Sequence, residues 1–363
     1  MNEDTGRHGA GDGGRRAHIG SFTSAGGRGI TTAAVDPATG KLTLLGATGV
    51  LADPSYLALA PDAPVLYAVS EGEHGTAAAF TLGAEGPYPL GDPQPVGGAG
   101  PTHLSVAGPW LLTAHYTSGG VGALRRTPDG GLTGPPAVLG HRGSGPDPDR
   151  QTGPHAHQVL PDPGGRWAVC VDLGTDSLRV LALDPADDPA RPPLPPRPHA
   201  ETALRSGSGP RHLAFHPGGR HLYVLNELAP TLTVCRWDPE KGAAEPLGEV
   251  PVAPEEASEY VRGYPSALVA DPDGRFLWAA VRGHDTVAVL ALDGDGAGAA
   301  LTASVDCGGV WPRDLALDPV GRRLYAANER SGDVTWFDVD RETGLPRRAG
   351  SVDVPAASCV VFG

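Results

Sequence analysis

Cysteine is scarce in this 363-residue chain: Cys170, Cys235, Cys307 and Cys359 lie far apart, with no CxxC pair. That spacing excludes a disulfide-stapled small scaffold and implies free, mostly buried thiols. No stretch approaches the roughly 18 consecutive apolar residues of a membrane span. The opening MNEDTGRHGAGDGGRR lacks the apolar segment of a signal peptide, so residues 1–16 are expected to form a disordered tail. A surplus of basic residues is missing too. The net charge of −14 argues against a nucleic-acid partner, which needs a cationic face. HExxH zinc spacing and the GxSxG nucleophile elbow are absent. The glycine-rich segments GSGPDPDR and GSGPRH match neither GxGxxG nor GxxxxGK[ST], so they are not nucleotide cradles. The expectation is a cytoplasmic protein without cofactor, nucleic-acid partner or membrane.

What the chain does have is turns. Gly 53 and Pro 38 are spread along its length, and 40% apolar residues suffice for a core. Length alone allows two ordinary domains or one large repeat domain. A phrase recurs: Pro, alternating apolar residues, a Pro-Asp/Gly-Gly-Arg turn, then an aromatic-apolar run. It starts at Pro54, Pro101, Pro154, Pro210, Pro265 and Pro312, and a truncated start lies at Pro355. Third strands follow, such as DSLRVLALD, TLTVCRWD and DVTWFDVD, each before an Asp/Gly turn and a fourth. Four-stranded units of roughly 40–50 residues are propeller blades. PAASCVVFG supplies a first strand without successors, and AHIGSFTSAGGRGITTAAVDPATGKLTLL supplies successors without a first strand. Pairing the two closes a seven-bladed, all-β propeller over residues 17–363 and leaves no open edge. The closed ring is expected to be a monomer. Two segments exceed the repeat: residues 141–153, and residues 184–209, whose proline-rich part is expected to be a surface loop.

First strands line the central channel and second strands run beside them. The residues after each starting proline therefore meet the ends of the second strands at one mouth. Ser55, Thr102, His155, Arg211, Ser266 and Arg313 form one set; Glu71, His115, Asp172, Asn226, Glu227, Arg282, Asn328 and Glu329 form the other. Charged residues at equivalent positions around one opening point to a site for a small anionic ligand. His155 and His157 face one side of a strand, but no third ligand is spaced to make a metal site. Histidine titrates near neutrality, which favours His155 as a base, with His157 in support. Arg211, Arg282 and Arg313 suit an anion because guanidinium binds oxyanions bidentately. Interblade ion pairing of Arg211 and Arg282 with Glu227 and Asp172 is the structural alternative. The pair Asn226–Glu227 recurs as Asn328–Glu329, which equally suits a turn. His212 is expected on the face opposite Arg211.

The segments IGSFT, PSYLALAPD, GSGPDPDRQTGPHAHQV, SGSGPRHLAFHPGGRHLYVLNEL and PRDLALDPVGRRLYAANERSGDV resemble the seven-bladed propeller 6-phosphogluconolactonases, to which carboxymuconate cyclases are related. The resemblance implies hydrolysis of a sugar-acid lactone, 6-phosphogluconolactone in the pentose phosphate pathway. It also implies a catalytic set of His155 or His157, Arg211, Glu227 and Arg282. His157, Asn226, Arg313, Asp172 and His115 are then expected around the substrate. Val281 stands where the family commonly has Asn, and His115 replaces another Asn. Either His155 or Glu227 is expected to take a proton from water, one arginine to hold the oxyanion, and another, with Arg313, the phosphate. A cyclase or a lactonase acting on a different acid, a calcium lactonase using Glu71, Asp172, Asn226 and Asn328, and a non-catalytic binding propeller are the rival readings.

Overall fold

The computed structural model describes residues 15–83, 86–184, 194–254 and 261–363. They form seven antiparallel sheets arranged as blades, each built on a path of four strands. Blade 1 combines Ala357–Phe362, innermost, with Arg16–Ser21, Ile30–Val35 and Leu42–Thr48. Blades 2 to 7 begin with inner strands Leu57–Leu59, Pro101–Ala107, Ala156–Pro161, Pro210–Phe215, Tyr264–Ala270 and Pro312–Leu317. Ala17 pairs with Phe362 and Ile19 with Val360, so the ring closes between the two ends of the chain as the repeat pattern requires. Residues 1–14 of the expected tail lie outside the described residues, and Arg16 already belongs to a strand. Among the described residues no helix is long and apolar enough to cross a membrane.

Burial follows strand position. WAVCVD, the second strand of blade 4, is buried throughout because both its faces meet neighbouring blades. AALTASVD, the outer strand of blade 6, alternates half-buried and exposed residues. The core is accordingly seven wedges rather than one: each apolar cluster joins two adjacent blades. Each fully buried Val or Leu in a wedge contributes about 1.5–3 kcal/mol. A second device fastens five of these interfaces. Tyr67, Trp167, Tyr223, Trp278 and Tyr325 each donate a hydrogen bond, 2.7–2.9 Å long, to a carbonyl in the outer hairpin of the next blade.

The Asp-Pro-x-Gly-Arg turns have a local cause. Asp162 and Asp318 each accept the backbone N–H groups of the turn's arginine and of the first residue of the strand that follows, while Gly165 and Gly321 take the left-handed backbone the turn needs. In the segment expected to be a proline-rich loop, residues 197–203 instead form the outer strand of blade 4. Proline is tolerated there because one edge of the strand is unpaired. Residues 185–193 lie outside the description.

Candidate active site at the channel mouth

A β-bulge at the start of the inner strand positions the first layer of the site. In blade 5 the pairing steps from Pro210↔Asn226 to His212↔Leu225, leaving Arg211 as the extra residue. The same slip isolates Arg313 in blade 7, His157 in blade 4 and Thr102 in blade 3. A bulge re-aims its residues, here toward the channel. Blade 4 corrects the sequence reading. Ala156, not Pro154, pairs with the end of the second strand, so His157 rather than His155 is the counterpart of Arg211.

The second layer is set by strand periodicity. His115, Asp172, Asn226 and Asn328 occupy one register position, paired with Pro101, Ala156, Pro210 and Pro312. The next residue of each strand end lies on the other face. Those next residues are Tyr116, Leu173, Glu227 and Glu329, with Glu71 and Arg282 as their counterparts in blades 2 and 6.

Glu227 is the centre. Arg150 Nη2 lies 2.6 Å from one carboxylate oxygen; Arg282 Nη2 at 2.7 Å and Arg211 Nε at 3.0 Å approach the other. Burial opposes the charge on Glu227, but Arg282, Arg211 and Arg150 outweigh it and hold the carboxyl at about 2. Three guanidinium groups against one carboxylate leave two positive charges uncompensated. They differ in freedom. Arg211 is fixed to Ser266 O and Arg282 Nε to Tyr264 O at 3.2 Å. The side chains of Arg211 and Arg282 are 2% and 9% exposed, whereas Arg150 is 35% exposed.

Arg150 comes from the inserted segment 141–153, and its absence from the expected set is the main omission of the sequence reading. Gln151, fully buried, donates to Leu173 O and to Asp176 Oδ1, both at 2.8 Å, and so clamps the segment. Asp176 also accepts the backbone N–H of Gly207 and Gly209, tying GSGPDPDR to SGSGPRH. The two glycine-rich segments thus deliver Arg150 and Arg211 to the same carboxylate. An arginine in an insertion adjoining a channel strand was the available signal.

His155 lies beside this cluster. Its Nδ1 is 2.6 Å from the carbonyl of Tyr116, and its ring stacks on that tyrosine with centroids 4.5 Å apart. A carbonyl only accepts, so Nδ1 carries a proton, and Nε2 is the nitrogen that can exchange one with a substrate or water. The Tyr116 hydroxyl accepts a 3.1 Å bond from Arg150, which links the imidazole to the arginine cluster. His157 is buried edge-on between Tyr116 and His212. Burial first, and Arg211 next, keep it well below the ordinary histidine range, so it is neutral.

Below this level the rings of Tyr56, His103 and His212 meet, with centroids 4.3–6.5 Å apart, and form a floor across the channel. His212 therefore faces the channel and not the opposite side, because the bulge turns Arg211 and His212 alike. On the far side of the floor a separate cavity of about 510 Å³ is lined by inner-strand ends such as Leu59, Val106, Leu317 and Phe362.

Four expected substrate residues fall outside the Glu227 cluster. Asn226 gives its amide to Thr231 and Thr233, each at 2.9 Å. Asp172 binds His141 at 2.6 Å and the backbone N–H of His155 at 2.8 Å, so it positions the segment carrying His155. His115 bonds Thr113 at 2.9 Å within its own blade. All three occupy one register position, on the strand face opposite that of Tyr116 and Glu227. Arg313 is at the mouth but engaged: Glu329 lies 3.2 Å and Glu71 3.4 Å from it. The oxygen residues of the calcium alternative do not converge, since Glu71 pairs with Arg313 while Asp172, Asn226 and Asn328 bond within their own or adjoining segments.

Comparisons with known proteins agree with this architecture. A family model described as lactonase, 7-bladed beta-propeller, matches residues 16–362. A 6-phosphogluconolactonase of Bacillus subtilis is 31% identical over 350 residues, covering 95% of this chain and 97% of that protein. Another 6-phosphogluconolactonase, from Formosa agariphila, is 27% identical and covers 90% of this chain and 93% of its own length. Among solved structures, a periplasmic gluconolactonase of Pseudomonas aeruginosa superposes with a TM-score of 0.87 at 27% identity, covering 96% of this chain and 98% of that one.

Proposed function

The chain belongs to the seven-bladed β-propeller lactonase family, and from that premise we propose that it hydrolyses the ring ester of a sugar-acid lactone, with 6-phosphogluconolactone as its substrate. Such a reaction would form 6-phosphogluconate, the second step of the oxidative pentose phosphate pathway. The observation that carries the reading is the excess of two positive charges around buried Glu227, open to solvent at Arg150 and adjacent to the imidazole of His155, whose Nδ1 donates to a carbonyl.

Ester hydrolysis needs a deprotonated water and donors for the oxyanion. Glu227, held at about 2, is too weak a base near neutral pH; its work is to array the arginines. His155 Nε2 takes the proton as water oxygen bonds to the carbonyl carbon. Arg282 and Arg150 donate to the oxygen that becomes negative. When the tetrahedral species collapses, the ring C–O bond breaks and the imidazolium returns its proton to the departing ring oxygen. The product is the open hydroxy acid, which releases its carboxyl proton to solvent and leaves as the carboxylate.

A lactone-hydrolysis assay with spontaneous opening subtracted tests the reading, using both phosphorylated and unphosphorylated gluconolactone. His155→Asn is expected to lower kcat at least about 100-fold. Full activity in that variant removes His155 as the base. Turnover of neither lactone, but of a muconate, assigns the same arginines to a cyclase.

A further inference from the structure

Near the start of an inner strand one residue tends to adopt a left-handed backbone. Asp53, Gly100, Gly209, Trp311 and Ala356 all do so, with φ between 44° and 67°. Four of the five are small residues. Trp311, at φ 67°, is the exception, and a bulky aromatic is strongly disfavoured there. Strain of this kind is kept where surrounding contacts impose it, often at functional sites.

The contacts are specific. Asp285 Oδ1 accepts the Trp311 N–H at 2.8 Å, and the Trp311 carbonyl accepts the Glu329 N–H at 3.0 Å. The indole then carries two arginines. Arg330 Cζ lies 3.4 Å from the ring centroid and Arg282 Cζ lies 5.4 Å from it. Arg330 is exposed and has no ion pair among the described residues, and its backbone N–H is tied to Val310 O at 3.1 Å. Thus a solvent-facing guanidinium sits over the indole, without an ion pair among the described residues, one ring away from the arginine that touches Glu227. Aromatic stacking leaves its N–H fork free for an oxyanion.

We propose that Arg330, seated on Trp311, receives the terminal phosphate of the substrate while the lactone carbonyl lies at Arg282 and Arg150. This rests on the lactonase reading above and adds to it the group that selects phosphorylated substrates. Arg313 does not compete for the role, because two carboxylates already engage it.

The test compares kcat/KM for phosphorylated and unphosphorylated gluconolactone in the intact protein. Arg330→Met is expected to reduce the ratio of the two at least tenfold, the weight of a hydrogen bond to a charged group. Trp311→Gly, whose backbone accepts φ 67° without strain, is expected to reduce the ratio in the same direction while the melting temperature holds. An unchanged ratio in Arg330→Met overturns the proposal. Calorimetric binding of inorganic phosphate decides independently of catalysis. Wild-type binding weakened at least tenfold in Arg330→Met supports the assignment even if neither lactone is turned over. Equal binding by both proteins, or by neither, refutes it.

Discussion

Two groups of charges share one channel mouth and have opposite composition. Around Glu227, three arginines converge on one carboxylate. Around Arg313, two carboxylates converge on one arginine, which also lies over the Phe22 ring at 4.8 Å. Arg313 is held charged despite its burial, chiefly by Glu71 and Glu329. The first group has charge left over for an anion, whereas the second has none. Ion pairing at a mouth is therefore not one property: the excess decides which half can bind and which half braces the ring.

The largest expected effect separates the halves by stability. Glu227→Ala leaves three arginines facing each other, two of them buried, and is expected to cost about 3–5 kcal/mol in urea unfolding. Glu329→Ala leaves Arg313 its partner Glu71, and is expected to cost less than about 1 kcal/mol. Equal losses would erase the distinction. Activity should divide the same way. Arg282→Ala is expected to lower kcat/KM about 100-fold or more, against less than about tenfold for Arg313→Met in the same lactone assay.

Asp314 lies beneath both groups and sharpens the comparison through pH. Burial raises its carboxyl to about 7, although Arg211 and Arg313 pull the other way. The unfolded carboxyl ionises near 4, so from pH 5 to pH 7 folding must keep a proton that the unfolded chain has lost. Stability from this group is full at low pH and falls by about 2 kcal/mol across that window. Asp314→Asn is expected to flatten the decline, raising the melting temperature more at pH 8 than at pH 5. The smallest effect concerns Arg150, the most exposed of the three arginines. Arg150→Met is expected to lower kcat/KM for an anionic lactone about tenfold, less than Arg282→Ala because water can stand in for an exposed donor, and added salt should narrow the difference from wild type.

The fold was legible because each blade repeats the same turn chemistry and the same alternation, and the incomplete last unit predicts the closure at Ala17 and Phe362. Glu227, Arg211 and Arg282 were legible because they stand at equivalent ends of such units. Two physical effects hid the rest. Period-two alternation puts Asn226 and Glu227 on opposite faces, and proximity in sequence did not say which of the two joins the arginines. In blade 4 the first paired residue stands two positions beyond the starting proline, so His157 took the register expected for His155, and the bulge, which adds a residue that pattern reading does not count, turned His212 toward the channel. Arg150 belongs to no repeat at all; only the buried anchor Gln151 fixes where it goes.

The closing strand has a consequence for how the chain is made. Blade 1 takes its inner strand from Ala357–Phe362 and its remaining strands from the region of Arg16 to Thr48, separated by almost the whole sequence. During synthesis the other six sheets can assemble in order, while the earliest hairpins wait beside the ribosome until the final residues emerge. The last strand acts as a latch. A circularly permuted chain opened in an exposed loop between two other blades, with the present ends joined, would make blade 1 local and is expected to fold sooner.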